Sequence, residues 1–324
     1  MTSRKDDLLA ALECRQPTGA VPVWELEFHL WDQASGQHVI LGHEFEALTA
    51  AEQDKALHRN AEIILSVCQE FGFAGLTPPG GFWEVAPGQL AYWVLPGESR
   101  MQQIRLLREL APPDLMLISG SGGVICPPSR SYEEFAYRLY DAPEEIDELA
   151  RQTRDGGIET AKRLRDAGVE AVYCAADIAD NHGPYFTPTQ MSRFILPYLR
   201  EWAAGVRELG LYSILHTDGN VSSLLDDLAG SGLNALQAID PIAGMDIVEV
   251  KQRVGRRICL CGNIDCGLLH FGPADRIYNT TRDTLMACKP GGGFVLGASN
   301  AVFTETPIQH YREMIRAWRD HGRY

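Results

Sequence analysis

His216 and Asp218 stand at the end of an apolar run, in Leu215-His216-Thr217-Asp218-Gly219-Asn220. The stretch 211–215 reads as a buried strand, and Gly219 is placed to turn the chain toward a helix. In a (β/α) barrel the C-terminal strand ends carry the chemistry. An imidazole and a carboxylate at such an end suit metal binding or acid–base work. The competing reading makes Asp218 a helix cap and His216 a hydrogen-bonding group inside the barrel mouth.

Other strand ends carry the same residue types. The first candidate strand ends Glu25-Leu26-Glu27-Phe28-His29, and period-two alternation puts Glu25 and Glu27 on one face. A carboxylate inside a barrel is costly unless it is paired or metal-bound. The fourth strand leads to Asp177, then Asp180-Asn181-His182-Gly183-Pro184-Tyr185. The sixth ends in Asp240-Pro241, the seventh runs through Cys259 and Cys261 to Cys266, and the eighth ends at Asn300. Zinc accepts His nitrogen, Cys sulfur and carboxylate oxygen, and a catalytic site keeps one position open. His216, Asp240 and Cys261 come from successive strand ends, so the expected metal set is His216 and Cys261 completed by Asp218 or Asp240. The alternatives stay open: Cys261 as a small buried filler, Asp240 as a turn residue before Pro241, Cys259 and Cys266 as core. Asp177, His182 and Glu27 are the candidate catalytic groups for orienting substrate or moving a proton. Glu25, Tyr185 and Asn300 are candidate substrate-binding residues.

The elements that must position these groups follow from the alternation of β-like runs with amphipathic helical stretches. Eight strands are expected, over 21–28, 72–77, 115–119, 171–174, 212–216, 235–239, 258–261 and 294–296. Helical patterns fall over 143–167 and 188–209, and shorter ones near 222–230 and 275–288. A helix over 6–12 precedes the first strand, and 85–97 reads as an irregular or hairpin insertion. The fold expected is α/β, a (β/α)8 TIM barrel with an N-terminal helical extension, one domain over residues 1–324. Gly120-Ser121-Gly122-Gly123 reads as a flexible loop or an anion-approaching turn, and Gly291-Gly292-Gly293 as a tight turn at the bottom face.

Composition narrows the function. The chain has 324 residues, 22% charged, with a net charge of −14, which disfavours a nucleic-acid partner. No apolar run reaches the ~18 residues of a membrane span, and the N-terminus lacks a signal-peptide core. A cytoplasmic protein is expected, its eight cysteines mostly reduced. Gly-x-Ser-x-Gly elbows, phosphate-binding Gly-Lys-Ser/Thr loops and a clean dinucleotide fingerprint are all missing.

The chain resembles the uroporphyrinogen decarboxylase-like superfamily, which includes corrinoid- and coenzyme M-dependent methyltransferases. The resemblance is carried by Ala176-Asp177-Ile178, Gly183-Pro184-Tyr185-Phe186-Thr187-Pro188, His216-Thr217-Asp218-Gly219-Asn220, Ala243-Gly244-Met245-Asp246, Gly262-Asn263-Ile264-Asp265 and Gly291-Gly292-Gly293-Phe294. It implies the barrel fold and a methyltransferase or lyase activity. The decarboxylases carry an arginine-bearing segment after the first strand, where this chain has Glu25-Leu26-Glu27-Phe28-His29. They carry a catalytic aspartate after the second, where it has Thr77-Pro78-Pro79. The methyltransferase branch is therefore expected over the true decarboxylases. Its zinc members use a His-x-Cys pair; here Asp218 replaces that cysteine, and Ala298 or a neighbour stands where a second is usual. The resemblance implies methyl transfer from a small ether or amine (a demethylation of the donor) to a corrinoid protein or thiol acceptor, with zinc as Lewis acid. A metal-free lyase using His216 and Asp218 as acid–base pair is the alternative. No corrinoid-binding signature is present, because His182 is followed at once by Gly183; the corrinoid is thus expected on a partner protein. A homodimer is compatible with the reading.

Overall fold

Seven short apolar runs pair in parallel and build the frame that carries the strand ends. The computed structural model describes residues 3–324 except 81, 87, 88, 93, 129 and 130, with only the backbone of 82–86 and 89–92. In chain order the strands are β1 Gly75–Leu76, β2 Phe82–Ala86, β3 Gln89–Tyr92, β4 Met116–Gly120, β5 Ala171–Ala175, β6 Ala179–Asp180, β7 Gly183–Pro184, β8 Tyr212–His216, β9 Ala235–Gln237, β10 Cys259–Ile264 and β11 Phe294–Ala298. The main sheet runs β1-β4-β5-β8-β9-β10-β11, all parallel and curled into a half-barrel. Near-continuous hydrophobic burial along these strands is what a parallel sheet covered by helices requires.

The stretch 21–28 departs from the continuous strand its sequence suggests. It makes isolated parallel bridges at Val23 to Leu296 and Phe28 to Val302. Leu296 N–H donates to Pro22 O, Trp24 N–H to Leu296 O, and Ala74 N–H to Val23 O. The segment is thereby bonded to β11 on one side and to the residue before β1 on the other. Pro22 has no N–H to continue a ladder, and the chain bends at Leu26 and Glu27. That bend also breaks the alternation expected of Glu25 and Glu27.

Two layers of core follow from strand alternation. Inside the curl, Trp24, Leu26, Met116, Ile118, Ile214, Cys259, Cys261 and Val295 pack together. Helix Arg4–Leu12, closed by a capping box at Ser3, sends Leu8, Ala11 and Leu12 into the same cluster. Outside, residues such as Leu117, Val172, Leu215, Leu236, Leu260 and Leu296 meet the helices. The expected helix over 143–167 is Pro143–Asp166. The one over 188–209 is helical throughout but opens into a π turn at Met191–Ile195 before Leu196–Glu208. The insertion expected over 85–97 overlaps the antiparallel β2–β3 pair, with 87, 88 and 93 outside the described residues. The loop 120–123 is packed at its ends, where a Cβ on Gly120 would lie 3.0 Å from the Tyr173 ring and one on Gly123 2.7 Å from the Trp202 ring, while Gly122 between them is exposed. Among the described residues no helix is long and apolar enough to cross a membrane.

Candidate functional site

Cross-strand register places Ala175, His216, Gln237 and Cys261 on one rung, on β5, β8, β9 and β10 in turn. His216 shares the inner face of β8 with Ile214 and is buried. Its Nδ1 bonds Gln237 Oε1. The amide orientation is fixed, because Gln237 Nε2 donates to Ala298 O and Ser299 O, each at 3.2 Å. Oε1 can only accept, so Nδ1 carries a proton and Nε2 points the other way.

Nε2 faces two carboxylates. Asp177 Oδ1 lies 3.9 Å and Asp218 Oδ1 4.0 Å from it. Donor atoms of Asp177, His216 and Asp218 all fall within 4.8 Å of one another. The acidic pair is held by backbone: Asp218 N–H donates to Asp177 Oδ1 at 3.0 Å. Asn300 Nδ2 donates to Asp218 Oδ2. Burial pushes the Asp218 carboxyl up to about 6, Asp177 and Asp240 pushing the same way and His216 opposing them. A half-buried carboxylate with like-charged neighbours needs a compensating cation or a proton.

The turn behind the cluster is tightly built. Gly219 has φ +84°, and a Cβ there would lie 2.6 Å from Ala179 C and O. Its N–H donates to Asp240 Oδ2 at 3.2 Å, and Ile242 N–H donates to Asp240 Oδ1 at 2.9 Å. Asp240 thus spends its carboxylate on two backbone donors, as a turn residue does. Ala238 and Ile239, just before it, hold φ of 98° and 50°, and Asn263 Nδ2 donates to Ile239 O. Strained backbone of this kind persists where surrounding bonds over-determine it.

The structure does not assemble the expected set of His216, Cys261 and Asp240. Cys261 lies two strands from His216, roughly 10 Å at the usual strand spacing, and Gln237 fills the rung between them. Its thiol faces that of Cys259 in the apolar interior, and burial holds the Cys259 thiol well above its ordinary value. Cys266 accepts from Asn300 N–H and Ser299 Oγ. Glu25 is also elsewhere. It is buried beneath the mouth, accepting from Ala298 N–H at 2.8 Å and Tyr311 OH at 2.9 Å, and burial raises its carboxyl to about 8. Glu27 pairs with His29 at 3.2 Å and lines a cavity of about 250 Å³ with Thr77, Arg100 and Tyr173. His182 sits on the rim, 94% exposed, on the β6–β7 hairpin. With Tyr185, Asp177 and Asp218 it borders an open cavity of about 340 Å³.

The sequence reading did not single out Gln237, Arg100 or Cys126. Gln237 was detectable as the lone polar residue in the apolar run 235–239. Cys126, after β4, accepts the Asp177 backbone N–H at its thiol, and no spacing signals it.

Similarity to known proteins is consistent with this arrangement. The family described as Uroporphyrinogen decarboxylase (URO-D) matches residues 100–321. A Methylcobamide:CoM methyltransferase MtaA from Methanosarcina barkeri is 25% identical over 223 residues, 67% of this chain and 62% of that protein. A uroporphyrinogen decarboxylase from Cellvibrio japonicus is 29% identical over 198 residues, 59% of this chain and 52% of that protein. The alignments thus span less than two thirds of either relative. The solved structure of a methyltransferase from Methanosarcina mazei superposes with a TM-score of 0.73 at 19% identity, covering 99% of both chains, a likeness of fold.

Proposed function

The chain belongs to the uroporphyrinogen decarboxylase (URO-D) family, and we propose that within it the chain is a methyltransferase. It moves a methyl group from a small methylated ether or amine to a corrinoid on a partner protein or to a thiol. The similarity to the MtaA methyltransferase supports the reaction class. We take the fold as a (β/α)8 barrel in one domain over 1–324, with 21–28 completing the circle and helix Arg4–Leu12 extending it. A cytoplasmic setting and a homodimer belong to the same proposal.

One observation carries the site chemistry: Nε2 of His216, whose Nδ1–H is held by Gln237, faces two carboxylates. Metal-ligating histidines almost always donate their other ring N–H in this way. Tetrahedral zinc ligands lie about 3.3 Å apart at 2.0–2.1 Å from the ion, so donors now 3.9 to at most 4.8 Å apart need to close by about 0.6 to 1.5 Å. The residues fit a divalent ion of zinc type. His216, Asp177 and Asp218 would hold it, replacing the set expected from sequence, and when bound it would polarise the donor heteroatom. Asn300 orients Asp218. Asp177 sits at the solvent side, where it can also receive a proton; His182 and Tyr185 border the entrance and Glu27 the opposite wall.

A second reading is a metal-free lyase or decarboxylase acting on a small carboxylated substrate. The raised Asp218 carboxyl favours it, because a group titrating near 6 is suited to proton transfer near neutrality. One experiment separates the two. Protein purified without chelators is analysed for metal, then mixed with methyl donors and Co(I) corrinoid, free or protein-bound, while methyl-Co(III) is followed by absorbance. Stoichiometric zinc lost in His216→Ala, together with methyl-Co(III) formation, is the expected result. Turnover without metal and without corrinoid moves the assignment to the lyase.

A further inference from the structure

Arg100 is an unspent cation in an acidic protein. It lies in the first turn of helix Gly97–Leu110. Nearby arginines are committed: Arg105 to Glu98, Arg108 to Glu170 and Arg4 to Asp114. Arg100 has no carboxylate within 4.0 Å among the described residues; its Nη2 donates to Ser119 Oγ at 2.9 Å. Its guanidinium has five N–H donors in all, and Arg100 lines the cavity that holds Glu27, Thr77, Gly120 and Tyr173.

The cavity opens at the same end of the barrel as the His216 cluster. Tyr173 is registered with Ile214, one inward-facing position before the pair Ala175–His216. The Tyr173 hydroxyl is close enough to Arg100 and Glu27 to feel both charges, and burial, then Glu27, keep it protonated up to about 12. It is therefore a hydrogen-bond donor lining the same cavity as Arg100. Guanidinium forks match carboxylates in a bidentate way. About 250 Å³ lies below the roughly 300 Å³ where drug-sized pockets begin, so the occupant is small. Glu27, tied to His29 on the facing wall, opposes a second negative group.

We propose that Arg100, with Tyr173, anchors the carboxylate of a small monoanionic substrate whose other end reaches the His216 cluster. This rests on the barrel mouth being the substrate site of the proposed methyltransferase. It narrows the donor class from any small ether or amine to one that carries a single carboxylate. Glu27 on the same cavity disfavours a polycarboxylate, and one guanidinium fork receives one carboxylate.

Calorimetric binding to the full chain in zinc-containing buffer tests it, with two matched pairs of probes. These are 4-methoxybenzoate against methoxybenzene, and N,N-dimethylglycine against N,N-dimethylethylamine. At least one carboxylate is expected to bind about tenfold or more tightly than its neutral partner. Arg100→Gln should abolish that preference, Arg100→Lys should restore part of it, and added salt should shrink it in the unmodified protein. Equal affinity within both pairs overturns the proposal. So do failure of both carboxylates to bind, a preference that survives Arg100→Gln, and one insensitive to salt. Thermal melting of each variant separates misfolding from lost recognition; if Arg100→Gln melts early, the Lys variant and the salt series still decide. Binding that behaves as expected without methyl transfer to corrinoid or thiol refutes the methyltransferase reading and leaves the Arg100 site standing.

Discussion

Replacing Glu25 by glutamine should stabilise the protein above pH 7 and remove a specific pH dependence. Glu25 is 3% exposed. It accepts Ala298 N–H and Tyr311 OH, and no cation is paired with it among the described residues. Burial is the largest influence, the two hydrogen bonds opposing it, and its carboxyl rises from 4.5 to about 8. The folded protein therefore binds one more proton than the unfolded chain between those values. Stability from this group is full below about pH 4.5 and is lost as pH rises toward 8. Between pH 5.5 and 8.5 the loss integrates to about 3 kcal/mol, at 1.36 kcal/mol per unit. The amide introduced by Glu25→Gln keeps an acceptor for Ala298 N–H and can donate to the Tyr311 oxygen, so the variant imitates the protonated acid without titrating. Urea unfolding of both proteins at pH 5.5, 7 and 8.5 should show the variant gaining on the wild type by about 3 kcal/mol across that range. Curves that stay parallel within about 0.5 kcal/mol, or a wild type that gains on the variant as pH rises, would refute a neutral buried Glu25.

Three further outcomes follow from the same geometry. Gln237→Leu removes the partner of His216 Nδ1 and should weaken zinc binding about tenfold to a hundredfold, while Cys261→Ala leaves it unchanged; titration against a zinc chromophore reads both. Gly219→Ala forces a Cβ into the Ala179 carbonyl at positive φ and should cost more than about 2 kcal/mol of unfolding free energy, measured by denaturant melts. Incubation with uroporphyrinogen should yield no coproporphyrinogen, since Glu27 lines the mouth and no arginine segment follows 21–28; sustained turnover contradicts this.

Much of the architecture was legible because it rests on local pattern. Apolar runs of the right length, separated by helical periodicity, marked β4, β5, β8, β9, β10 and β11 within a few residues. The motif His216-x-Asp218 at the end of β8 pointed to one face, and Asp177, Tyr185 and Asn300 lie near it. The run 21–28 was harder. Its residues suit a strand, but Pro22 and the bend at Leu26–Glu27 reduce it to bridges. Glu25 then turns to Tyr311 and Glu27 to the mouth, although alternation puts them together.

The sequence by itself determined which strand ends carry imidazole, thiol and carboxylate, because those ends are set by local alternation and turn residues. Only the tertiary structure decided which of these groups meet. His216 and Cys261 share a rung, yet two strand widths and the Gln237 side chain separate them. Asp177 and Asp218 come from different strands, yet one backbone N–H joins them over the Nε2 of His216. Cross-strand register and the reach of each side chain set those distances, and neither is encoded in spacing along the chain.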